Sequence, residues 1–311
     1  MNLTKETLDR LYKKQKTMLS AGWIITIGVI ALTEVLRLLF KDIVTDRAAF
    51  NFIMLIIDIL PIIYIVIMTK KLIPSGQSRR LRKVFKVMQQ DPISDNTVNM
   101  LYRAIGEASK YPEKLRLTGL LVSVYSLRGQ YREAFDLLFA SDRSGFEKYP
   151  DVAMLHFSDI ICLYAEVGDN DSALRAYADG KRFFEAASER NYICCNTAFS
   201  AMIGVEAAQK NYRKALDLRL ILNEYQNLFN SSTGAAQQGT PLNRLINGTV
   251  FMDSAELFYL CGDLDNAAKY IDIGGPMLSA SPFLTRKAND LSEKIRTALA
   301  QRSYQQIKQM L

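Results

Sequence analysis

A single histidine, four cysteines and eight prolines are spread over 311 residues. His156 and the thiols Cys162, Cys194, Cys195 and Cys261 have no paired CxxC spacing, which leaves no material for a zinc-ligand cluster. Cys194 and Cys195 are chain neighbours, poorly placed to bridge each other, and reduced thiols in a cytoplasmic compartment are the expectation. Sixteen glycines argue against a collagen-like or low-complexity chain and against an all-β protein with many tight turns. The sequence also lacks a nucleophile elbow, a phosphate-binding GxxxxGK loop, a GxGxxG fingerprint and an HExxH pair. His156 stands alone in DVAMLHFSDI, where a packed helix position is expected. Its acids are scattered along polar helix faces rather than paired for acid–base work. No enzyme activity, cofactor, metal or small-molecule substrate is therefore expected.

Most of the chain has little net charge. The net charge is +7, but residues 1–86 carry +9 and residues 87–311 carry −2. Basicity confined to the first quarter removes the main support for a nucleic-acid partner.

That basic quarter contains two long apolar runs, Met18–Phe40 and Ala48–Met68. A helix rises about 1.5 Å per residue, so roughly 20 residues cross a hydrocarbon core of about 30 Å. A two-helix transmembrane hairpin over residues 18–71 is expected, after a basic segment at 1–17. A cleaved signal peptide fits poorly, because the run is long, a small-residue cleavage pattern is absent and a second run follows at once. The flanks carry five basic residues in 1–17 and seven in 69–86, against Lys41 and Arg47 in the connecting loop. The positive-inside rule then puts both termini in the cytoplasm, in a bacterial-style inner membrane. Glu34 and Arg37 share one face near the outer end, where arginine snorkels to the interface. Asp58 lies near mid-bilayer, where an ionised carboxylate costs on the order of 2.5–3.5 kcal/mol. It is expected to be protonated, bonded to Thr33 or Thr26, or turned toward another membrane helix.

Residues 72–93 form a basic juxtamembrane linker and helix. Pro74-Ser75-Gly76 breaks the preceding helix. In RRLRKVFKVM, Leu81, Val84, Phe85 and Met88 recur at helical spacing among Arg79, Arg80, Arg82, Lys83 and Lys86. Such a helix fits an anionic lipid surface, gaining about 1 kcal/mol per cation. Its apolar face also fits as the first packing surface of the domain that follows.

The rest of the chain repeats itself. GQYREA at 129–134, GDNDSA at 168–173, KNYRKA at 210–215 and GDLDNA at 262–267 align, each between two apolar helical runs. Tyr125, Tyr164 and Phe258 precede three of them by four residues, with Glu206 in that place in the third. Gly129, Gly168 and Gly262 suit the left-handed end of a first helix. Asp169 and Asp263 suit the cap of a second, and Ala134, Ala173, Ala215 and Ala267 allow close helix approach. The pattern resembles tetratricopeptide (TPR) repeats over roughly residues 95–280, with long periods and no clear Trp or Leu-Gly opening. Residues 230–241, NSSTGAAQQGTP, read as a loop inserted in the third repeat. Residues 283–311 read as an amphipathic capping helix.

The fold class expected is thus all-α: the membrane hairpin followed by a TPR-like α-solenoid over 94–282. The resemblance implies a concave groove for protein or peptide partners, lined by first helices. Carried over, its face comprises Arg116, Ser123, Ser126, Ser158, Asp159, Cys162, Glu166, Thr197, Ser200, Met252, Asp253, Glu256 and Tyr259. That face is small, polar and mildly acidic, and suits a basic or helical ligand, unless the final helix fills it. Two roles are open: a membrane-anchored scaffold working through the groove, or a non-catalytic subunit of a transport or secretion complex recognised through Asp58.

Overall fold

The computed structural model describes residues 4–40, 50, 53–57, 59–63, 78–233 and 239–310. Every regular element among them is a helix, and no strand occurs among the described residues. The chain divides into two compact units, Asn2–Pro74 with Glu189–Ile193, and Ser75–Ser188 with Cys194–Leu311.

In the smaller unit, α1 runs unbroken over Lys5–Phe40. The basic N-terminal segment and the first apolar run are therefore one helix of 36 residues, about 54 Å long at the standard rise. Its most apolar 18-residue window has mean hydropathy 2.0 and is 11% buried. Among the described residues it is the one helix long and apolar enough to cross a membrane. Trp23, Ile24, Ile27, Leu32 and Leu38 point outward from it. A second apolar helix, α2, spans Ile53–Ile63 and is shorter. The remainder of the second expected span, and Asp58 itself, lie outside the described residues. The Thr26 hydroxyl donates to the Gly22 carbonyl, and that of Thr33 to Val29 and Ile30. Arg37 pairs with Glu34 one turn away.

The larger unit is a succession of helices: α3 (Arg79–Gln90), α4 (Asp95–Glu107), α5 (Tyr111–Leu127), α6 (Tyr131–Phe139), α7 (Pro150–Glu166), α8 (Asn170–Ala187), α9 (Tyr192–Ala208), α10 (Tyr212–Thr233), α11 (Pro241–Leu260), α12 (Leu264–Gly274) and α13 (Pro282–Met310). A short 3-10 turn, Gly275–Leu278, separates the last two. Local chemistry fixes most starts. Ser78, Ser94, Asp169, Thr240 and Asp263 each accept a bond from an amide in the first turn of α3, α4, α8, α11 and α12. Prolines occupy the first turns of α5, α7 and α11, where no amide donor is needed. The expected loop at 230–241 is shorter than its composition implies, because α10 continues to Thr233.

The four repeated segments are the turns between α5 and α6, α7 and α8, α9 and α10, and α11 and α12. In each, an amide bonds back to a carbonyl five residues earlier: Gln130 to Tyr125, Asp169 to Tyr164, Asn211 to Glu206 and Asp263 to Phe258, at 2.8–3.0 Å. This reverse turn needs a left-handed residue just past the helix end. Gly129 (φ 73°), Gly168 (78°) and Gly262 (78°) supply it, and Lys210 (60°) supplies it without being glycine. Ala134, Ala173, Ala215 and Ala267 are all fully buried where the paired helices meet. Close approach recurs between pairs: a methyl on Gly204 of α9 would stand 3.2 Å from Ile161 of α7.

The apolar face of α3 is used for packing. Leu81, Val84 and Met88 are buried, and the helix lies against α4 and α11. At the other end of the chain, the Ser281 hydroxyl that caps α13 also donates to the Leu127 carbonyl at 2.6 Å. Phe283 packs over the α5–α6 turn, edge-on to Tyr131. The first turn of the final helix is thereby tied to the first repeated segment.

The turn geometry predicts opposite signs for two substitutions. Left-handed backbone costs about 1–2 kcal/mol at a non-glycine residue. Gly168, with open space around it, should lose about 1 kcal/mol when changed to alanine, whereas Lys210→Gly should gain a similar amount. Thermal unfolding followed by circular dichroism reads both.

Candidate functional site

Two adjoining cavities lie among the helices of the larger unit. The first, about 380 Å³, is bordered by α3, α5, α7 and α11. The second, about 320 Å³, is bordered by α7, α9, α10, α11 and α13. Cys162 and Glu166 of α7 belong to both, so α7 is the wall between them.

The residues expected on the groove face divide in three ways. Ser123, Ser126, Asp159, Cys162 and Glu166 border the first cavity. Ser200, Asp253 and Glu256 join Cys162 and Glu166 around the second. Arg116, Ser158, Thr197, Met252 and Tyr259 line neither. Arg116 of α5 is held by Asp151 of α7 at 2.8 Å, both side chains largely buried. Ser158 donates to the Thr197 carbonyl at 3.3 Å, tying α7 to α9. Met252 is buried in the core.

Several bordering residues carried no sequence signal for this role. Phe85 and Met88 of α3 and Leu242 and Ile246 of α11 make the first cavity largely apolar. Arg219 of α10 and Lys287 of α13 bring cations to the second. A helical wheel of α3 places Phe85 beside Leu81, Val84 and Met88, but burial of the other three does not foretell that Phe85 faces a void. The lone signal for Lys287 is its position on the polar face of α13, six residues after the cap at Ser281.

The electrostatics of the second cavity are paired. Lys287 Nζ lies 2.5 Å from Glu166 Oε1, which also accepts from the Tyr131 hydroxyl at 3.1 Å. Burial alone would lower the Lys287 pKa, but Glu166, aided by Glu256 and Asp253, outweighs it and the net shift is upward. Arg219 contacts Asp253 at 3.0 Å. Burial raises the Asp253 carboxyl and Arg219 opposes it. Glu256 is half-buried at the same rim.

The first cavity is different. Asp159 is half-buried and borders the void, and it makes no hydrogen bond or ion pair among the described residues. Burial pushes its carboxyl up to about 8, with Arg116 opposing only weakly through space. Gly119 on α5 leaves the room it needs, since a methyl there would approach Asp159 Oδ2 to 3.1 Å. Cys162, one turn along α7, lies deep in the helix stack but exposes its sulfur to the cavities. Burial raises its thiol to about 12, so the protonated form dominates at neutral pH and the sulfur reacts slowly, through a small thiolate fraction.

His156 is in the core, ringed by Phe146 at 5.1 Å and Phe157 at 5.6 Å. Burial lowers it to about 4, so it is neutral at pH 7. No group of His, Cys, Asp or Glu side chains among the described residues is arranged to hold a metal ion. In the basic helix α3, Arg79, Arg82, Lys83 and Lys86 are exposed. Arg80 is instead half-buried, 3.1 Å from Glu113 and 3.7 Å from Glu107. Comparison with protein-family models, curated proteins and solved structures finds no match.

Asp159 gives a pH prediction. Its folded carboxyl holds a proton between about pH 4 and 8 that the unfolded chain releases, so stability falls as pH rises across that window. Asp159→Asn, which needs no ionisation, should unfold at a higher temperature than the wild type. The margin should be small at pH 5 and grow to about 2 kcal/mol by pH 8.

Proposed function

We propose that this chain is a membrane-anchored, TPR-like scaffold that binds a protein or peptide partner in the cavities on either side of α7. The carrying observation is the convergence of eight expected groove residues, from α5, α7, α9 and α11, on two voids that share a wall. Four repeated helix–turn–helix segments with matching turn bonds support the repeat reading. In that reading the inner faces of first helices bind, and the small side chains Ser123, Ser126 and Ser200 leave room for a ligand's side chains. The acids Glu166, Asp253 and Glu256 favour a basic ligand. The expectation that α13 fills the groove is met in one respect only: Lys287 stands at its rim.

Anchoring would come from α1, aided by the exposed cations of α3 at an anionic lipid surface. Holding the binding face at an inner membrane raises its local concentration near membrane partners without a new contact. No chemistry is required of it.

The test places a photo-crosslinking residue at Ser126 or Ser200 in the full-length membrane protein. A discrete adduct is expected, reduced at least tenfold by Glu256→Lys and unchanged by Asp58→Leu. An adduct lost with Asp58→Leu and kept with Glu256→Lys would overturn the groove and favour recognition through the membrane helices.

A further inference from the structure

Carboxylates recur along the inner faces of these helices, and three are matched by a cation from a neighbouring helix. Asp151 of α7 holds Arg116 of α5, Glu166 of α7 holds Lys287 of α13, and Asp253 of α11 holds Arg219 of α10. Asp159 sits between the first two on α7 and has no such partner. Burying a carboxyl without a partner costs stability, and here the surroundings do not offset that cost. Side chains that persist at such a cost are concentrated where a ligand supplies the missing partner.

The cavity in front of Asp159 defines that partner. Its walls are apolar on the α3 and α11 sides, through Phe85, Met88, Leu242 and Ile246, with the hydroxyls of Ser123 and Ser126 on α5 and the carboxyls on α7, where Asp159 alone lacks a partner. At about 380 Å³ it admits one or two side chains, not a folded element. We propose that Asp159 is the anchor of a cation subsite, which takes the lysine or arginine side chain of a partner polypeptide with its aliphatic stem against Phe85 and Ile246. This deepens the groove reading and rests on it. Inside the cavity a cation does for Asp159 what Lys287 does for Glu166 next door. Burial that keeps the empty carboxyl protonated is relieved when the cation arrives, so the proton leaves as the ion pair forms. Arg116 on α5 and Cys162 and His156 on α7 are the titratable neighbours, and none of them offers the carboxyl an ion pair.

Cys162 provides the probe. It lies three residues beyond Asp159, on the same helix face and bordering the same cavity, about 5–6 Å away between Cβ atoms. Full-length protein in a zwitterionic nanodisc is equilibrated with cystamine, 2-hydroxyethyl disulfide or dithiodipropionate under a fixed excess of 2-mercaptoethanol. In each exchange the Cys162 thiolate displaces one half of the reagent as a thiol, and peptide mapping by mass spectrometry gives the captured fraction at Cys162. The ammonium reagent should be captured at an equilibrium constant about tenfold above the neutral one, and the carboxylate reagent least. In Asp159→Asn, which is expected to fold more stably than the wild type, the ammonium preference should fall to about one. Equal capture of all three reagents by the wild type, or a preference unchanged in Asp159→Asn, overturns the cation subsite while leaving the groove open. Capture of none of them at Cys162 would show the cavity closed, and overturns the groove reading together with the subsite.

Discussion

The inner faces of these helices cannot meet, and the rest of the molecule follows from that. Within each pair the backbones come close, because Ala134, Ala173, Ala215 and Ala267 are fully buried at the contact and leave no side chain to hold the helices apart. On the inward faces serines, a cysteine and carboxylates interrupt the apolar residues, and these short or polar side chains do not fill the space. What remains is a void on each side of α7, bounded by helices from distant parts of the sequence. The contact of α3 with α11, and the Ser281–Leu127 bond at the start of α13, hold those distant helices in place. Non-local closure of this kind lets a chain of mostly local contacts enclose a site.

The helix pairs were legible in the sequence because their turns are chemically demanding. A left-handed residue, a cap and a buried alanine recur at fixed offsets, and Asp169 and Asp263 make the bonds their positions imply. Lys210 shows why the third segment aligned less well: tertiary packing holds a non-glycine residue at φ 60°. The extent of α1 and α10 was harder to read. Polar, basic or small residues mark a break only statistically, and both helices continue through theirs, to Lys5 and to Thr233. Eight of the residues expected on a groove face border the cavities, since the repeat resemblance and helical periodicity together point to one side of each helix. Periodicity does not tell which helix lies opposite, so Phe85, Ile246, Arg219 and Lys287 had no signal. For the same reason Arg116 looked available for a ligand, although Asp151 holds it.

Two titratable groups on one helix illustrate the difference between packing and function. His156 is neutral and ringed by aromatic residues, with its Nε2 buried and without a hydrogen bond. Asp159, three residues further on, gains nothing from the core and faces open space. The first is closed in by packed rings, and the second borders a cavity of about 380 Å³. In the proposed reading that difference in surroundings is what makes Asp159, rather than His156, the candidate for contact with a ligand.

The openness of the space beside α7 is most directly measured by ordered cysteine labelling of the intact protein with methyl methanethiosulfonate. Cys162 exposes its sulfur to both cavities, while Cys194 and Cys195 are buried in α9. Cys162 should be modified under native conditions, with Cys194 and Cys195 protected until the chain unfolds. Protection of Cys162 equal to that of Cys194 would mean the helices close over it, and would contradict a groove in this protein.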